Sequence, residues 1–583
     1  MTRELFVDVL EKIALLLELK GENPFKVRAY RTGAEVVQAD PGDIVGQARD
    51  GQLDGIKGIG EALRDKLCEL ARTGELGFYS KLRAEFPASI FELFDISGLG
   101  PKKIAALHRE LGVAGVGDLR RVCEDGTAAK LSGFGDKTVV KLLEAIAFRD
   151  SHADTFRVDD AAPAVAEILD FLRALPETSR AEVAGSYRRG RETVHDLDFL
   201  VATKHPAAVM EAFVRAPFVA SVLAHGETKS SIRLASGLQC DLRAVKNDEW
   251  AFALAYFTGS KEHNIQMRSR ALSQGWTLNE YRLAPVSGDS PAPPPHIHEE
   301  RELHRALGLD FIDPSLREAS GEIEVAESGA LPVLVELENL RGTFHNHTTA
   351  SDGTATLLEM AAAAIELGLQ YLGIADHSKA SFQANGLTED RLRDQIAAIR
   401  EMNAQRDGDF RLFAGSEVDI LKDGSLDFPN ELMAELDYVV ASVHNIFTLT
   451  ESEQTRRIIR AVENPHVTML GHLTGRLLLK REGYAVNVPA IIEACAATGT
   501  IIELNASPSR LDMDWRWWRM AKEKGVKCSI NPDAHSTRGL QDLYYGIRTA
   551  RKGWLTRADV VNCLPLGKIE EVLAEKRKMS AVL

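Results

Sequence analysis

From Arg341 onward the chain keeps one rhythm: a short apolar run that ends on His, Asp, Glu or Asn, then a helical stretch, then another such run. The runs are Gly342 to His347, Tyr371 to His377, Phe410 to Glu417, Tyr438 to His444, Val467 to His472, Thr500 to Asn505 and Lys527 to His535. Helices such as Leu357 to Leu367 and Glu389 to Asn403 lie between them. Seven strand-helix repeats predict a parallel barrel whose reactive groups sit at the strand C-terminal ends. Six of the seven ends carry ligand-type residues: His345 with His347, His377, Glu417, His444, His472, and Asp533 with His535. Asp352, in the Ser351-Asp352-Gly353 turn, makes a ninth. A lone histidine is more often a satisfied core or surface residue than a ligand, but nine such residues at equivalent places in one barrel are a poor coincidence. Mixed nitrogen and oxygen donors suit Zn²⁺, Mn²⁺ or Fe²⁺ better than Mg²⁺ or Ca²⁺. Such a cluster lowers the pKa of bound water and clamps a phosphoryl group.

A second acidic site stands earlier. Asp196 and Asp198 are two apart in an extended run, so both carboxylates face the same way. Two like charges that close repel unless a hard divalent cation such as Mg²⁺ sits between them. Upstream, Gly185-Ser186-Tyr187-Arg188-Arg189-Gly190 offers backbone N–H groups, a hydroxyl and guanidinium forks, the groups that hold a polyphosphate. A carboxylate pair facing a phosphate cradle is the layout of two-metal phosphoryl transfer. The bland alternative is a solvated Asp-x-Asp beside a chance basic turn, and the attached Gly-Ser turn argues against it. Asp241 is the candidate third carboxylate, on the second of two short strands joined at Ser236-Gly237. Tyr256 to Arg268 then brings aromatics for a sugar or base and a Gly-Ser turn opening a helix.

The first part, through about Arg149, is helical in pattern. Leu5, Val9, Leu10, Ile13, Leu16 and Leu17 recur at helical spacing, and Gly21-Glu22-Asn23-Pro24 ends that helix. One theme then appears three times: Ile56-Lys57-Gly58-Ile59-Gly60, Ile96-Ser97-Gly98-Leu99-Gly100 with Lys102, and Leu131-Ser132-Gly133-Phe134-Gly135 with Lys137. A tight Gly-x-Gly turn before a helix presents N–H groups to a phosphate without reading a base. A single one is more often a plain connection between helices; three in the same context reverse those odds.

These segments carry resemblances that together span nearly the whole chain. Gly185 to Asp198 resembles the catalytic motif of the family X DNA polymerases, relatives of DNA polymerase β, and Tyr256 to Arg268 resembles their nucleotide-binding segment. The three glycine turns resemble helix-hairpin-helix elements, and Gly21 to Arg31 with the first hairpin resembles the family's lyase domain. Leu303 to Glu318 resembles the end of the polymerase unit in bacterial members, and the C-terminal half resembles the polymerase and histidinol phosphatase (PHP) domain. The order matches the bacterial family X polymerases that carry a C-terminal PHP domain.

The resemblance implies a multidomain chain of α+β and α/β parts. Residues 1–150 would form a helical, lyase-like and helix-hairpin-helix DNA-binding region, with Gly58, Gly60, Gly98, Gly100, Lys102, Gly133, Gly135 and Lys137 on DNA. Residues 151–320 would form a polymerase β-like nucleotidyltransferase core of palm and thumb, 321–340 a poorly patterned acidic linker, and 341–583 a distorted (β/α)7 PHP barrel. Asp196, Asp198 and Asp241 would be the metal and catalytic carboxylates, using Mg²⁺ or Mn²⁺. Gly185, Ser186 and Arg189 would hold the triphosphate; Tyr256, Phe257 and Gly259 would pack on the deoxyribose; Asn264 and Arg268 would lie near the nascent pair. His195 stands where the family often has glycine. In the barrel, up to three ions of Mn²⁺, Zn²⁺ or Fe²⁺ are implied: one on His345, His347, Glu417 and Asp533, a second on Glu417, His444 and His472, a third on Asp352, His377 and His535. Arg476 and Arg510 are candidates for the substrate phosphate, each with an ion-pair role as the rival. Lys66 is the position of the family's lyase lysine, although Asp65 and Glu69 beside it favour the charged amine that such chemistry must avoid.

At 583 residues the chain holds several domains. Its formal charge of −15 counts against a protein that coats DNA, though not against an enzyme that touches it locally. Six cysteines with no Cys-x-x-Cys indicate reduced thiols rather than a zinc ribbon or a disulfide framework. No apolar run approaches the length needed to span a bilayer and the first residues are not signal-like, so a cytoplasmic monomer is the expectation. The function expected is a DNA repair polymerase that fills gapped or nicked DNA from deoxynucleoside triphosphates, with a metal-dependent 3′–5′ exonuclease and abasic-site endonuclease chemistry in the PHP domain. Two rivals are a metallophosphatase for a small phosphoester with an idle polymerase core, and a DNA-end scaffold without turnover.

Overall fold

The computed structural model describes residues 3–39, 43–56, 58–287, 296–405 and 408–582. Two compact units divide it: Met1–Ala153 with Leu479–Arg481, and Asp154–Leu478 with Glu482–Leu583.

The first unit is helical. Helix Arg3–Leu19 buries Phe6, Val9, Leu10, Ile13, Leu16 and Leu17, while Leu5 faces solvent, so the buried stripe starts one residue later than the sequence spacing suggested. The three glycine turns share one geometry. Their first glycines, Gly58, Gly98 and Gly133, have φ of +93°, +88° and +85°, a region that L side chains enter only at a cost. The apolar residue between the glycines is buried, and its N–H donates three residues back, Ile59 to Ile56, Leu99 to Ile96 and Phe134 to Leu131, each at 3.1 Å. The second glycines, Gly60, Gly100 and Gly135, are the N-caps of helices Glu61–Thr73, Pro101–Leu111 and Asp136–Ser151. Lys57 lies outside the described residues.

In the second unit a five-stranded sheet holds β1 (Thr178–Val183), β2 (Asp196–Thr203), β3 (Val219–His225), β4 (Lys229–Leu234) and β5 (Gln239–Val245) in the order β1-β2-β5-β4-β3. Strand β2 shows why the carboxylates stand where they do. Its odd residues Leu197, Phe199 and Val201 pack with helices Val158–Ala174 and Pro206–Val214, and its even residues Leu200 and Ala202 pack under helix Trp250–Thr258. Asp196 and Asp198 occupy the even face at the strand's start, beyond that helix, and are partly buried.

The thumb core gathers Met267, Leu303, Leu307, Ile312 and Leu316. The stretch expected as an unpatterned linker is packed instead. Helix Glu322–Glu327 puts Ile323 and Ala326 into that same core, and Val335 and Leu340 enter the core of the barrel. Its charges are also committed: fully buried Glu322 faces His263 Nδ1 at 2.8 Å and accepts from the N–H groups of Ala319 and Ser320. Ala284 and Pro285 belong to a short hairpin strand, and residues 288–295 lie outside the described residues.

The barrel strands are β6 (Gly342–Thr343), β7 (Tyr371–Ile374), β8 (Arg411–Asp419), β9 (Tyr438–Ser442), β10 (Met469–Leu470), β11 (Ile501–Asn505) and β12 (Cys528–Asn531), all parallel and in chain order. A parallel bridge from Asn346 to Ala534, just past β6 and β12, joins the two edges. Phe344, Tyr371, Phe413, Tyr438 and Met469 fill one end, covered by Ile569 and Leu573 of the last helix. Gly373 and Gly415 make room for this filling, since a Cβ on either would lie within 2.5 Å of the Tyr438 side chain. The opposite, C-terminal end of the strands is left to polar groups.

Candidate functional site

Parallel pairing of β2 with β5 sets Asp198 directly opposite Asp241, so three acidic side chains converge on one edge of the sheet. Burial, with Asp196 and Asp241 nearby, pushes the Asp198 carboxyl up to about 7, and Asp196 is raised for the same reasons. Burial acts on Asp241 too, but hydrogen bonds from Lys229, Gln239 and Ser231 outweigh it and leave that carboxyl below its ordinary value. Lys229 Nζ lies 2.9 Å and Gln239 Nε2 3.0 Å from its two oxygens. A pocket that concentrates this much negative charge calls for a cation. Gly185 is pressed against it: with φ of +59°, any Cβ there would lie 2.2 Å from Asp198 Oδ2. His195 does not crowd the acids, because by strand alternation it falls on the other face, where its ring meets Thr155 Oγ1 and the Asp154 carbonyl.

The short helix Gly185–Arg188 follows, and here the basic turn differs from expectation. Arg188 is turned away into the thumb, paired with buried Glu300 and Thr258, and Glu300 also takes the fully buried Arg317. Arg189 is tied to Glu318 at 3.0 Å and to the Thr258 carbonyl at 2.6 Å. Neither guanidinium is a free fork, since Glu300 holds Arg188 and Glu318 holds Arg189. Arg189 nevertheless abuts Gly259, 3.0 Å from where a Cβ would be, which joins the turn to the nucleotide segment. Tyr256, Asn264 and Arg268 line one crevice, with Asn264 Nδ2 donating to the Tyr256 carbonyl at 2.7 Å. Phe257 stands edge-on to Tyr256 under the Arg243 guanidinium.

At the open end of the barrel all nine expected residues meet. Glu417 is the hub: its oxygens lie 3.3 Å from His345 Nε2, 3.8 Å from His347 Nε2, 2.9 Å from His377 Nδ1, 3.1 Å from His444 Nε2 and 2.9 Å from His472 Nε2. Asp533 Oδ1 is 3.1 Å from His347 and 3.6 Å from His345. Asp352 lies 3.6 Å from His377 and 3.4 Å from His535. The grouping is less partitioned than the resemblance implied, because His347 also stands among Asp352, His377 and His535, and His377 also groups with Glu417 and His444.

The donor set fits divalent metal ions. Buried His345 Nε2 and Glu417 Oε2 lie close to Glu417 Oε1 and His377 Nδ1 but make no well-aligned hydrogen bond, although burial of such atoms demands a partner. Burial opposes ionisation of Glu417, yet His444, His345 and His377 hold it well below the carboxylate range, and the histidines hold Asp533 down likewise. In return, despite burial, the carboxylates around them raise His444 to about 10 and His535 to about 9, the mark of a site that favours positive charge. The set mixes imidazole and carboxylate donors, which suits transition metals better than Ca²⁺.

Sequence reasoning missed the carboxylates behind the cluster. Buried Glu503 faces His345 Nδ1 at 2.7 Å, Asp419 faces His444 Nδ1 at 3.1 Å, and Asp376 accepts from Thr348 and Ser351. Such partners fix the tautomer and orientation of ligand histidines. The signal was visible: Glu503 is an acid inside the apolar run Ile501-Ile502-Glu503-Leu504. Arg476 proves unavailable to a substrate. It is mostly covered, with its side chain 14% exposed, paired with Glu192 at 2.5 Å and Asp514 at 2.9 Å, and bonded to the Arg510 and Leu511 carbonyls. Arg510 stays beside the cluster, its Nε 3.6 Å from Asp533.

In the first unit, a Cβ on Gly60, Gly100 or Gly135 would meet nothing within 4 Å, and Lys102 and Lys137 are exposed, so each hairpin presents an open edge and the second and third carry an exposed lysine on it. Lys66 Nζ is exposed, donates to the Ala62 carbonyl in its own helix and lies 5.2 Å from the Phe78 ring centre, which gives it no desolvated pocket.

Comparison with known proteins adds an independent line. Four families match: a helix-hairpin-helix domain over residues 1–76, a SAM-like helix-hairpin-helix tandem over 90–147, the DNA polymerase beta thumb over 253–318 and the PHP domain over 343–507. The DNA polymerase/3′-5′ exonuclease PolX of Bacillus subtilis is 38% identical over 570 residues, covering 97% of this chain and 98% of that protein. A probable phosphatase of Thermoanaerobacter sp. is 27% identical over 245 residues, 40% of this chain and 94% of its own. A probable phosphatase of Clostridium acetobutylicum is 30% identical over 203 residues, 33% of this chain and 77% of its own.

Proposed function

The chain belongs to the family X DNA polymerases that carry a C-terminal PHP domain, and from that membership we propose a gap-filling repair enzyme whose two active sites serve one DNA 3′ end. It is a DNA polymerase and a 3′–5′ exonuclease, dependent on divalent metal ions, and it binds DNA and deoxynucleoside triphosphates. The observation that supports the reading is that both acidic groups lie on the same chain, the carboxylate triad in register and the nine side chains gathered around Glu417 and its neighbours.

Asp196, Asp198 and Asp241 would hold Mg²⁺ or Mn²⁺ in the polymerase site, and the barrel cluster would hold Mn²⁺, Zn²⁺ or Fe²⁺. Such ions neutralise charge on the attacking and leaving oxygens and lower the pKa of bound water. The rest is the chain's own work. Asp241, kept ionised by Lys229 and Gln239, accepts the proton of the primer 3′-hydroxyl. Gly185, Ser186 and Arg189 seat the triphosphate; Tyr256, Phe257 and Gly259 pack on the deoxyribose; Asn264 and Arg268 lie near the nascent pair. In the barrel, Arg510 draws the scissile phosphate toward Asp533, and Glu503 and Asp419 keep His345 and His444 turned inward. The domain limits proposed are 1–150, 151–320, 321–340 and 341–583. The hairpin glycines and Lys102 and Lys137 grip the backbone of gapped or nicked DNA, and abasic-site cleavage belongs to the barrel rather than to Lys66. Free cysteines agree with a reducing cytoplasm, and no helix among the described residues is long and apolar enough to cross a membrane.

The test is a one-nucleotide gapped duplex labelled at the primer 5′ end, incubated with Mn²⁺ with and without deoxynucleotides. Extension by one nucleotide when they are present and a descending ladder when they are absent is expected. A primer unchanged in both would remove the reading and favour a small phosphoester as substrate.

A further inference from the structure

The PHP barrel grips the triphosphate turn of the polymerase site from behind. Helix Leu543–Lys552 of the barrel runs along the turn that follows Gly185–Arg188. Arg548 donates to the Tyr187 carbonyl and lies over the Tyr187 ring, with its Cζ 4.6 Å from the ring centre. Its own carbonyl would sit 3.6 Å from a Cβ on Gly190. One turn on, Lys552 donates to the Arg189 carbonyl at 3.2 Å and to Glu318 Oε1 at 2.5 Å, above the Trp515 ring. The same Glu318 oxygen takes Arg189 Nε at 3.0 Å, and Glu318 Oε2 lies 3.7 Å from Arg191.

Two features make this more than packing. Lys552 has no solvent exposure, and a buried ammonium is retained only where its charge is used or compensated. Burial, partly offset by Glu318, lowers its pKa to about 8. Furthermore, three cations, Arg189, Arg191 and Lys552, share the one carboxylate of Glu318, which leaves the group with an excess of positive charge. The excess lies directly behind the turn proposed to hold a polyanion, and an incoming triphosphate would balance it.

We propose that Lys552 is a positioning residue of the polymerase site: with Glu318 it aims Arg189, so that the PHP barrel forms the back wall of the deoxynucleoside triphosphate site. This rests on the reading of Arg189 as a triphosphate ligand. Lys552 does not touch the nucleotide; it acts through the Arg189 carbonyl and through the carboxylate both cations share.

The experiment compares full-length Lys552→Met, Lys552→Arg and Arg189→Gln with the unsubstituted chain, measuring single-nucleotide gap filling, inhibition by pyrophosphate, and 3′ trimming. Lys552→Met is expected to raise KM for the deoxynucleotide roughly tenfold with kcat little changed, and to weaken pyrophosphate inhibition in parallel. Lys552→Arg is expected to restore part of both. Trimming, which reports the fold of the barrel that carries Lys552, is expected to stay unchanged in every variant. If Arg189→Gln raises KM and Lys552→Met does not, the positioning role is overturned while the reading of Arg189 stands. If Arg189→Gln leaves KM unmoved, that reading falls and the inference with it. If Lys552→Met lowers trimming and filling alike and Lys552→Arg rescues neither, the residue is structural only and the proposal is wrong.

Discussion

At the scale of single residues, the two acidic sites depend on close approach and on charge. Gly185 is the clearest case of close approach, because no side chain fits between its backbone and the Asp198 carboxylate. Gly185→Ala is expected to lower nucleotide addition on the order of a hundredfold by displacing that carboxylate, while 3′ trimming persists; steady-state rates for the two reactions check it. Charge governs Asp198. Its folded pKa, near 7 without metal, lies above the ordinary aspartate value, so the metal-free fold holds a proton that the unfolded chain releases. Metal-free stability is therefore expected to fall as pH rises from about 4 to 7. A divalent cation displaces that proton, so saturating Mg²⁺ is expected to raise the melting temperature more at pH 8 than at pH 5.5. Calorimetry at both pH values, with Asp198→Asn as the control, reads the difference.

At the scale of elements, the three hairpins separate two uses of glycine. Gly98 holds a positive φ that its turn requires, and Gly98→Ala is expected to destabilise the first unit by about 1–2 kcal/mol. Gly60, Gly100 and Gly135 have ordinary extended backbones and open space where a side chain would go. Replacing all three by Val should cost only the helix N-caps they form, about 1 kcal/mol each, yet weaken binding to gapped duplex more than that loss explains, because the methyl groups would stand where phosphates dock; anisotropy at two salt concentrations beside a thermal melt measures it. Elements of this kind were legible in the sequence because their information is local. The Gly-x-Gly turns, the Asp-x-Asp strand and the seven strand ends each announce themselves within a dozen residues. The segment from Gly321 to Leu340 was not legible, because its apolar residues divide between two cores and keep no single period. Nor was the role of Glu503, whose partner His345 lies 158 residues away.

At the scale of the whole molecule, the polymerase core and the barrel are bound by buried pairs that no local pattern encodes. Arg476 illustrates this: it lies in a barrel loop that reads as a phosphate grip, but its partner Glu192 is 284 residues away. Arg476→Met would leave buried Glu192 without its partner while Asp514 keeps Arg516, and a loss of about 3 kcal/mol with a parallel decline in both activities is expected. Arg510→Met should instead spare stability and gap filling and lower trimming alone, which thermal melts and paired assays distinguish. The central claim is that two independent active sites share this chain. It is tested most directly with Asp198→Asn and Glu417→Gln on the same labelled gapped duplex. Asp198→Asn is expected to cut gap filling roughly a thousandfold, equivalent to several kcal/mol of transition-state stabilisation, and to go on trimming. Glu417→Gln is expected to do the reverse. A single substitution that abolished both reactions in a chain of unchanged melting temperature would contradict the account.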